Sequence, residues 1–349
     1  EFHLLQIDST YIHWRPYKDR LYSKQLEGHY LVFDDQTTLQ GNISLSPLGI
    51  MGAGKMDIQN GTLWSDAFNY QAQSFKSTDT RLRIRKKQSD TVLFSSRHLI
   101  AEYDHQVQEG KFKATEDFVR VKLHENQYHS YINAFSWMIP DNRLDMNSPS
   151  LVHTFQNGRS RVYSAQEESG FPAGNHFVSI RPDQDSLDFV SKTAQYDLSA
   201  NILRADQVEA IHVADATVYP DNGEVKVRKQ AEMDTLFEAV VETPGTDKHH
   251  TLYDSKIKIA GKNNYSGNAD YDYLDFQGQK QTIHFRNIWI DPSGQTRAKG
   301  SIAKPDSFYL SPHYWFVGNA NLNANNRHLV FDGGVKLIHQ CGDLRDRFL

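Results

Sequence analysis

The chain has 349 residues, enough for one large domain or two smaller ones. Its hydrophobic content of 38% is low and its aromatic content of 12% is high, a balance that suits β-structure in which half of each strand faces water. The formal net charge of −5 gives no general attraction to nucleic acid, and a single cysteine, Cys341, excludes an intramolecular disulfide and a cysteine-based zinc site.

Alternation of apolar and polar residues predicts β-strands along most of the chain. Residues 81–86 and 119–123, for example, place apolar side chains on one face and charged side chains on the other. Turn-forming pairs such as Asn60-Gly61 separate these segments. Helical patterns are scarce, and the best candidate for a short helix lies at residues 229–241. The sequence therefore predicts an all-β fold with few or no helices.

A short kernel recurs at two places in the chain. It reads Ala-Glu-Tyr-Asp at residues 101–104 and Ala-Gln-Tyr-Asp at residues 194–197, and a weaker copy lies within residues 65–84. Self-similarity of this kind indicates stacked strand units, because each unit has one apolar face that only a neighbour can bury. We therefore expect an elongated stack of repeated strand units, of the β-taco, jelly-roll or β-helix-like type.

Polar, proline-bearing stretches predict breaks in this stack. Residues 138–150 and 166–176 are of this kind. We therefore predict a first β-repeat segment at residues 1–140, a broken linker region at 141–180 and a second β-repeat segment at 181–349. Because the kernel occurs on both sides of the breaks, one continuous elongated domain is the alternative.

The kernels at residues 101–104 and 194–197 resemble the repeats of OstA/LptA-like proteins. The segment 48–58, followed by residues 63–68, is similar to AsmA/TamB-like β-groove proteins, and both families belong to the Gram-negative cell envelope. The resemblance implies strands folded around an apolar interior groove, which would suit acyl chains. It also implies a periplasmic or outer-membrane-associated location and a lipid or envelope-protein partner. It supplies no catalytic residue and no cofactor.

Targeting signals give little further information. The chain starts at Glu1 without a start methionine or a signal peptide, and it has no run of 18 apolar residues. We therefore expect no transmembrane segment in this chain. The formal net charge of −5 predicts that nucleic acid is not a partner. We also expect the chain to be part of a larger protein or assembly.

Three aspartates form the first candidate site. Alternation places Asp270 and Asp272 on one face of a predicted strand, with Asp275 shortly after them. Carboxylates at this spacing suit a carbohydrate site or a Ca²⁺ site. The glycine and the terminal glutamate of an EF-hand loop are missing, so a solvated face of a tyrosine-lined strand is the alternative.

An aromatic cluster forms the second candidate site. Residues 308–316 contain Tyr309, Tyr314, Trp315 and Phe316. Exposed aromatic rings stack on sugars or anchor partners, so these four residues are candidates for lipid or partner binding. Filling of a core by the same rings is the alternative.

Other motifs are incomplete. The adjacent His249 and His250 point to opposite faces of a strand, which is a poor arrangement for a metal. Residues 49–55 lack the Gly-Lys-Ser/Thr ending of a phosphate loop. His339 and Cys341 share a strand face but lack an orienting group. The sequence therefore predicts no catalytic residue, no metal and no cofactor.

These observations favour a non-enzymatic β-repeat protein of the cell envelope, acting as a scaffold or a lipid-binding groove. The aspartates and the aromatic cluster support a different hypothesis, a carbohydrate-binding or carbohydrate-active β-helix protein. A third hypothesis is a protein-interaction module of a large envelope assembly.

Overall fold

The computed structural model describes residues 4–7, 9–33, 37–147, 150–154, 160–164, 174–245 and 247–338. The protein is 65% strand, and within the described ranges no helix reaches seven residues. The predicted all-β class with few or no helices is confirmed. Two large antiparallel sheets form the fold, and one of them is curled into a half-barrel. Antiparallel pairing fits the taco or jelly-roll alternative better than a parallel β-helix.

The strands are numbered in chain order. The first large sheet contains β1 (Leu5–Gln6), β2 (Thr10–Arg15), β3 (Arg20–Gln25), β4 (Tyr30–Val32), β5 (Thr37–Ser46), β6 (Gly49–Ile58), β7 (Gly61–Tyr70), β8 (Ser74–Arg85), β9 (Val92–Asp104), β10 (Glu109–Ala114), β11 (Val119–Leu123), β12 (Tyr128–Ile132), β13 (Ala134–Met138), β14 (Arg143–Asn147), β17 (Asn175–Ser179), β18 (Asp188–Ser191), β19 (Thr193–Asp197), β20 (Ile202–Asp206) and β23 (Val225–Val227). A separate hairpin consists of β15 (Ser150–Thr154) and β16 (Ser160–Ser164). The second large sheet contains β21 (Ile211–Val213), β22 (Ala216–Tyr219), β24 (Leu236–Thr243), β25 (His250–Gly261), β26 (Asn264–Leu274), β27 (Lys280–Ile290), β28 (Thr296–Ile302), β29 (Tyr309–Ser311), β30 (Tyr314–Asn323) and β31 (Val330–Leu337).

Single turns of 3-10 helix lie between some of these strands. They are Pro16–Lys18, Pro182–Gln184, Asp221–Gly223, Lys229–Ala231 and Lys304–Asp306. The candidate helix at residues 229–241 is wrong, because this segment contains one such turn and then β24. Packing of its alternate apolar residues outweighs its helix propensity. Of the described residues, none forms a helix with the length and apolarity that a bilayer-spanning helix requires.

The first large sheet divides at β9. Strands β5 to β9 are consecutive antiparallel neighbours. Residues 99–104 of β9 then pair with β10, whereas residues 94–95 pair with β11. From β10 the pairing continues through β13, β14, β19 and β20, and β11 continues to β12. The division places β8 and β11 on opposite sides of the first half of β9.

The two kernels have the same local structure. In each, the alanine and the tyrosine are buried, and the aspartate ends a strand that pairs with the next strand in the chain. The Asp104 carboxylate accepts backbone N–H bonds from two and three residues ahead, at 2.9 and 3.3 Å. The Asp197 carboxylate accepts the equivalent bonds at 2.8 and 2.9 Å. The aspartate therefore fixes the turn, as expected for an Asx turn.

The chain folds into two compact units. The first unit comprises residues 1–178, 190–206 and 226–231. The second unit comprises residues 179–189, 207–225 and 232–349. The boundaries of the β-repeat segments and of the linker region at 141–180 remain predictions.

Aromatic side chains fill the interior of each unit. In the first unit, the Phe94 and Phe112 rings lie 5.0 and 4.9 Å from the Phe135 ring. In the second, the Phe308 and Phe316 rings lie 5.9 and 5.3 Å from the Phe331 ring. Burying each such side chain stabilises the fold by about 1.5–3 kcal/mol relative to leaving it exposed.

Candidate anion-binding site

The candidate site lies on the outer face of the first unit, on β8, β9, β11 and β12. In β8 the apolar Leu82 and Ile84 are fully buried, so alternation turns Arg81 and Arg83 to the other face. The same rule applies to β11, where Val119, Val121 and Leu123 are buried and the basic Arg120 and Lys122 between them face outward. The hydrophobic pattern that builds the core therefore also orients the cations.

Strand register aligns four polar residues across the sheet. Arg83 lies opposite Ser95, Ser95 opposite Lys122, and Lys122 opposite His129. Neighbouring strands are about 4.8 Å apart, so the backbone at the two ends of this row is separated by roughly 14 Å. The sheet thus holds two permanent cations and a histidine in line, with a short serine between the cations.

This row lies in a trough of about 810 Å³, which we call the cationic trough. Its charged and titratable lining residues are Arg81, Arg83, Arg97, Arg120, Lys122, His98, His124 and His129. No described carboxylate lines it. An adjoining depression of about 380 Å³ shares Arg81, Arg97 and His98 and adds Lys55 and Trp64, together with the acids Asp66 and Asp79.

No described carboxylate neutralises the permanent cations of the trough. Within the part of the chain that the structure describes, its four arginines and Lys122 form no ion pair with a carboxylate. Partial burial and the neighbouring Arg81, Arg85 and Arg97 lower the pKa of Arg83. The part of this shift that comes from the neighbouring arginines reflects crowded positive charge, which an anion would relieve.

Trp64 positions two of the arginines. Its ring lies 5.0 Å from the Arg81 guanidinium carbon and 5.4 Å from that of Arg83. A cation–π contact of this kind is worth about 0.5–1 kcal/mol at an exposed site, and it leaves the N–H groups of the guanidinium available to a ligand. The tryptophan therefore preorganises the β8 side of the trough.

Two histidines occupy the β11–β12 side. Burial, followed by the charges of Lys122, Arg83 and His129, lowers the pKa of His124, and Glu125 opposes this shift. Burial, followed by the charges of Arg120 and Lys122, lowers the pKa of His129. Both imidazoles are therefore neutral at pH 7. The Ser95 hydroxyl lies 2.8 Å from His124 Nε2.

Acidification from pH 7.5 to 5.5 is expected to destabilise the first unit. Because the folded-state pKa values of His124 and His129 lie below the usual 6.5, the unfolded chain takes up protons first as the pH falls through 6.5. The contribution of these two histidines to the free energy of unfolding is therefore fully present above pH 6.5, and it is lost as the pH falls below that value. Thermal unfolding by circular dichroism across this range measures the effect.

The control is H124Q/H129Q, in which the decrease should be smaller. The decrease should not vanish from the unfolding of the whole protein, because burial also lowers the pKa of His250 and acidification therefore destabilises the second unit as well. An equal decrease in the double variant and the original protein would contradict the assignment.

The structure places the predicted aspartates in separate interactions. Asp270 lies 2.6 Å from His284 Nδ1, and Asp272 accepts a bond of 2.6 Å from the Tyr253 hydroxyl. Asp275 accepts two backbone N–H bonds of 2.8 Å and closes the turn after β26. Each carboxylate thus has a partner within the protein, and the predicted carbohydrate or Ca²⁺ role of the three aspartates remains a prediction. Among the described residues, no group of three or more His, Cys, Asp or Glu side chains is arranged to hold a metal ion.

The predicted aromatic cluster is divided between core and surface. Phe316 is 1% exposed and packs in the core, whereas Tyr314 is 46% exposed. Tyr309 and Trp315 are half-buried, and the Lys336 ammonium lies 5.8 Å from the Trp315 ring. The Phe316 ring is therefore not accessible to a ligand, and the binding roles of the other three remain predictions. His339 and Cys341 lie outside the described residues.

Sequence reasoning missed the cationic trough. The alternation at residues 81–86 and 119–123 showed that charges face outward on each strand, but it did not show that both strands border β9. A useful signal is that both segments carry basic residues, and no acid, at alternate positions.

No protein-family model, curated protein or solved structure matches this chain.

Proposed function

We propose that this protein is a non-enzymatic binding scaffold whose cationic trough binds an extended polyanion of the acidic-polysaccharide class. The observation that carries the proposal is a trough lined by five permanent cations, none of them paired with a carboxylate among the described residues. Arginine offers paired N–H donors that match anionic oxygens. Several such groups along one face favour a ligand with several charges.

Charge distribution favours an acidic polysaccharide over nucleic acid. The whole chain carries a formal charge of −5, so its net charge gives no general attraction to a long, uniformly charged duplex. The second candidate function is the scaffold or lipid-binding groove of a Gram-negative envelope, periplasmic or outer-membrane associated, with a lipid or protein partner. It is favoured by the sheet that is curled into a half-barrel.

Binding of dextran sulfate, with uncharged dextran as the reference polymer, tests the main proposal. We expect binding of dextran sulfate alone, and weakening as the salt concentration rises from about 0.05 to about 0.5 M because salt screens exposed charges. The variant R83E/K122E should bind on the order of 100-fold more weakly, since truncating or reversing desolvated charge contacts costs several kcal/mol. Isothermal titration calorimetry measures both effects.

The matched control is K258E/K299E, which makes the same change in net charge on exposed lysines of the second unit. It should bind dextran sulfate within twofold of the original protein. Equal loss in both variants, or no binding by the original protein, would overturn the proposal. Tighter binding of duplex DNA than of dextran sulfate would assign the trough to nucleic acid instead.

A further inference from the structure

The middle of the cationic trough has the features of a smaller, built subsite. We call Arg83, Ser95, Lys122, His124 and His129 the central subsite. Four of these residues lie in one row across β8, β9, β11 and β12, and His124 is held to Ser95 by a hydrogen bond of 2.8 Å. The two histidines are half-buried, unlike the exposed Arg97 at the rim of the trough.

Donors reach this subsite from several sides. Arg83 rises from β8 and Lys122 from β11, and the strand between them carries only the short Ser95. Two strand spacings separate these cations by roughly 10 Å at the backbone. Their long side chains can therefore reach a shared group above the serine once the Arg83 guanidinium turns from the Trp64 ring toward β9. A tetrahedral ester group has three terminal oxygens that accept bonds from three sides, whereas a carboxylate has two oxygens in one plane.

We propose that the central subsite binds a sulfate or phosphate ester group of the polyanion, and that His124 and His129 take up protons from solvent as it binds. This inference rests on the proposed function of the cationic trough. Each imidazole changes from neutral to imidazolium, no covalent bond to the ligand forms or breaks, and both ring nitrogens then act as donors.

The surroundings of the two histidines explain the coupling. His124 faces Lys122, Arg83 and His129, with Glu125 as the opposing charge, and Glu125 is itself paired with Lys229 at 3.0 Å. His129 faces Arg120 and Lys122 on β11. On β17, which pairs with the other side of β12, the His176 ring lies 6.1 Å from the Tyr131 ring.

Burial and positive neighbours therefore keep both imidazoles neutral in the free protein. An oxyanion placed between Arg83 and Lys122 lowers the local positive potential and favours the imidazolium form. By linkage, a ligand that raises the proton affinity of the site binds more tightly when protons are abundant. Binding should therefore strengthen as the pH falls from 7.5 to 5.5.

Calorimetric titration with dextran sulfate at pH 5.5, 6.5 and 7.5 tests this coupling, in buffers that differ in ionisation enthalpy. We expect about tenfold tighter binding at pH 5.5 than at 7.5 and a net uptake of protons at pH 6.5. H124Q/H129Q should remove the proton uptake and lower the affinity at pH 5.5 by about tenfold. The control H249Q/H328Q, with both changes at exposed positions of the second unit, should keep the pH dependence.

A second comparison tests the chemical class of the anion. Dextran phosphate and carboxymethyl dextran of matched charge density are titrated in the same way. We expect dextran phosphate or dextran sulfate to bind at least tenfold more tightly than carboxymethyl dextran, and the tighter of the two identifies the ester. Equal affinity for carboxymethyl dextran would overturn the tetrahedral class.

The outcomes of the pH titration separate the two proposals. Binding that is tight but independent of pH would overturn the proton coupling and leave the proposed function standing. Absence of binding at every pH would refute the proposed function itself.

Discussion

Replacement of Trp137 by alanine is expected to lower the free energy of unfolding of the first unit by about 3–5 kcal/mol, the range for loss of a large buried aromatic side chain. Trp137 lies in β13 and is 1% exposed. Its ring covers Gly61 at the start of β7, where an added Cβ would lie 2.2 Å from the Cη2 atom of the ring. Urea unfolding followed by circular dichroism measures the loss.

The contact between the ring and Gly61 supplies the control. G61A should destabilise the original protein by about 1–3 kcal/mol through overpacking. In the Trp137→Ala background the new methyl group enters the cavity left by the tryptophan ring. There G61A should lower the free energy of unfolding by less than it does in the original protein. Strictly additive effects would show that the two residues do not share a packing site. Trp137→Phe keeps most of the ring and should cost less than Trp137→Ala.

Replacement of Asn126 by alanine is expected to destabilise the first unit by about 2–4 kcal/mol, because two buried carbonyl groups lose their donor. Asn126 is fully buried, and its Nδ2 donates to the Asn201 carbonyl at 2.9 Å and to the Val227 carbonyl at 3.0 Å. These partners lie far along the chain, so a single amide joins three segments of the unit. Thermal and urea unfolding measure the change.

Asn69→Ala is the matched control for this experiment. Asn69 lies exposed on β7, and its replacement should change the free energy of unfolding by no more than about 0.5 kcal/mol. A loss below about 1 kcal/mol for Asn126→Ala would show that water or a shifted side chain satisfies the two carbonyls.

The all-β class could be predicted from the sequence because its signal is local. Alternation within a strand depends only on neighbouring residues, and the shared structure at residues 101–104 and 194–197 depends on an aspartate and the turn that follows it. Both features are independent of which strands become neighbours.

The cationic trough depends on long-range register and could not be predicted in this way. Arg83 and His129 belong to one row only because β9 pairs with both β8 and β11. Viewed separately, each basic residue looks like an ordinary solvated side chain. Within the aromatic cluster, similarly, the sequence did not show that Phe316 points to the core and Tyr314 to the surface.

The interleaved path of the chain has a consequence for biosynthesis. Residues 143–147 of β14 pair with residues 193–197 of β19, and the first unit also includes residues 226–231. The nascent chain therefore cannot complete this unit when residue 178 has emerged from the ribosome. The edge of β14 stays unpaired until β19 has been translated, and such edges promote association between chains. Folding of the first unit is thus expected to finish only after residue 231 has been synthesised, when part of the second unit already exists.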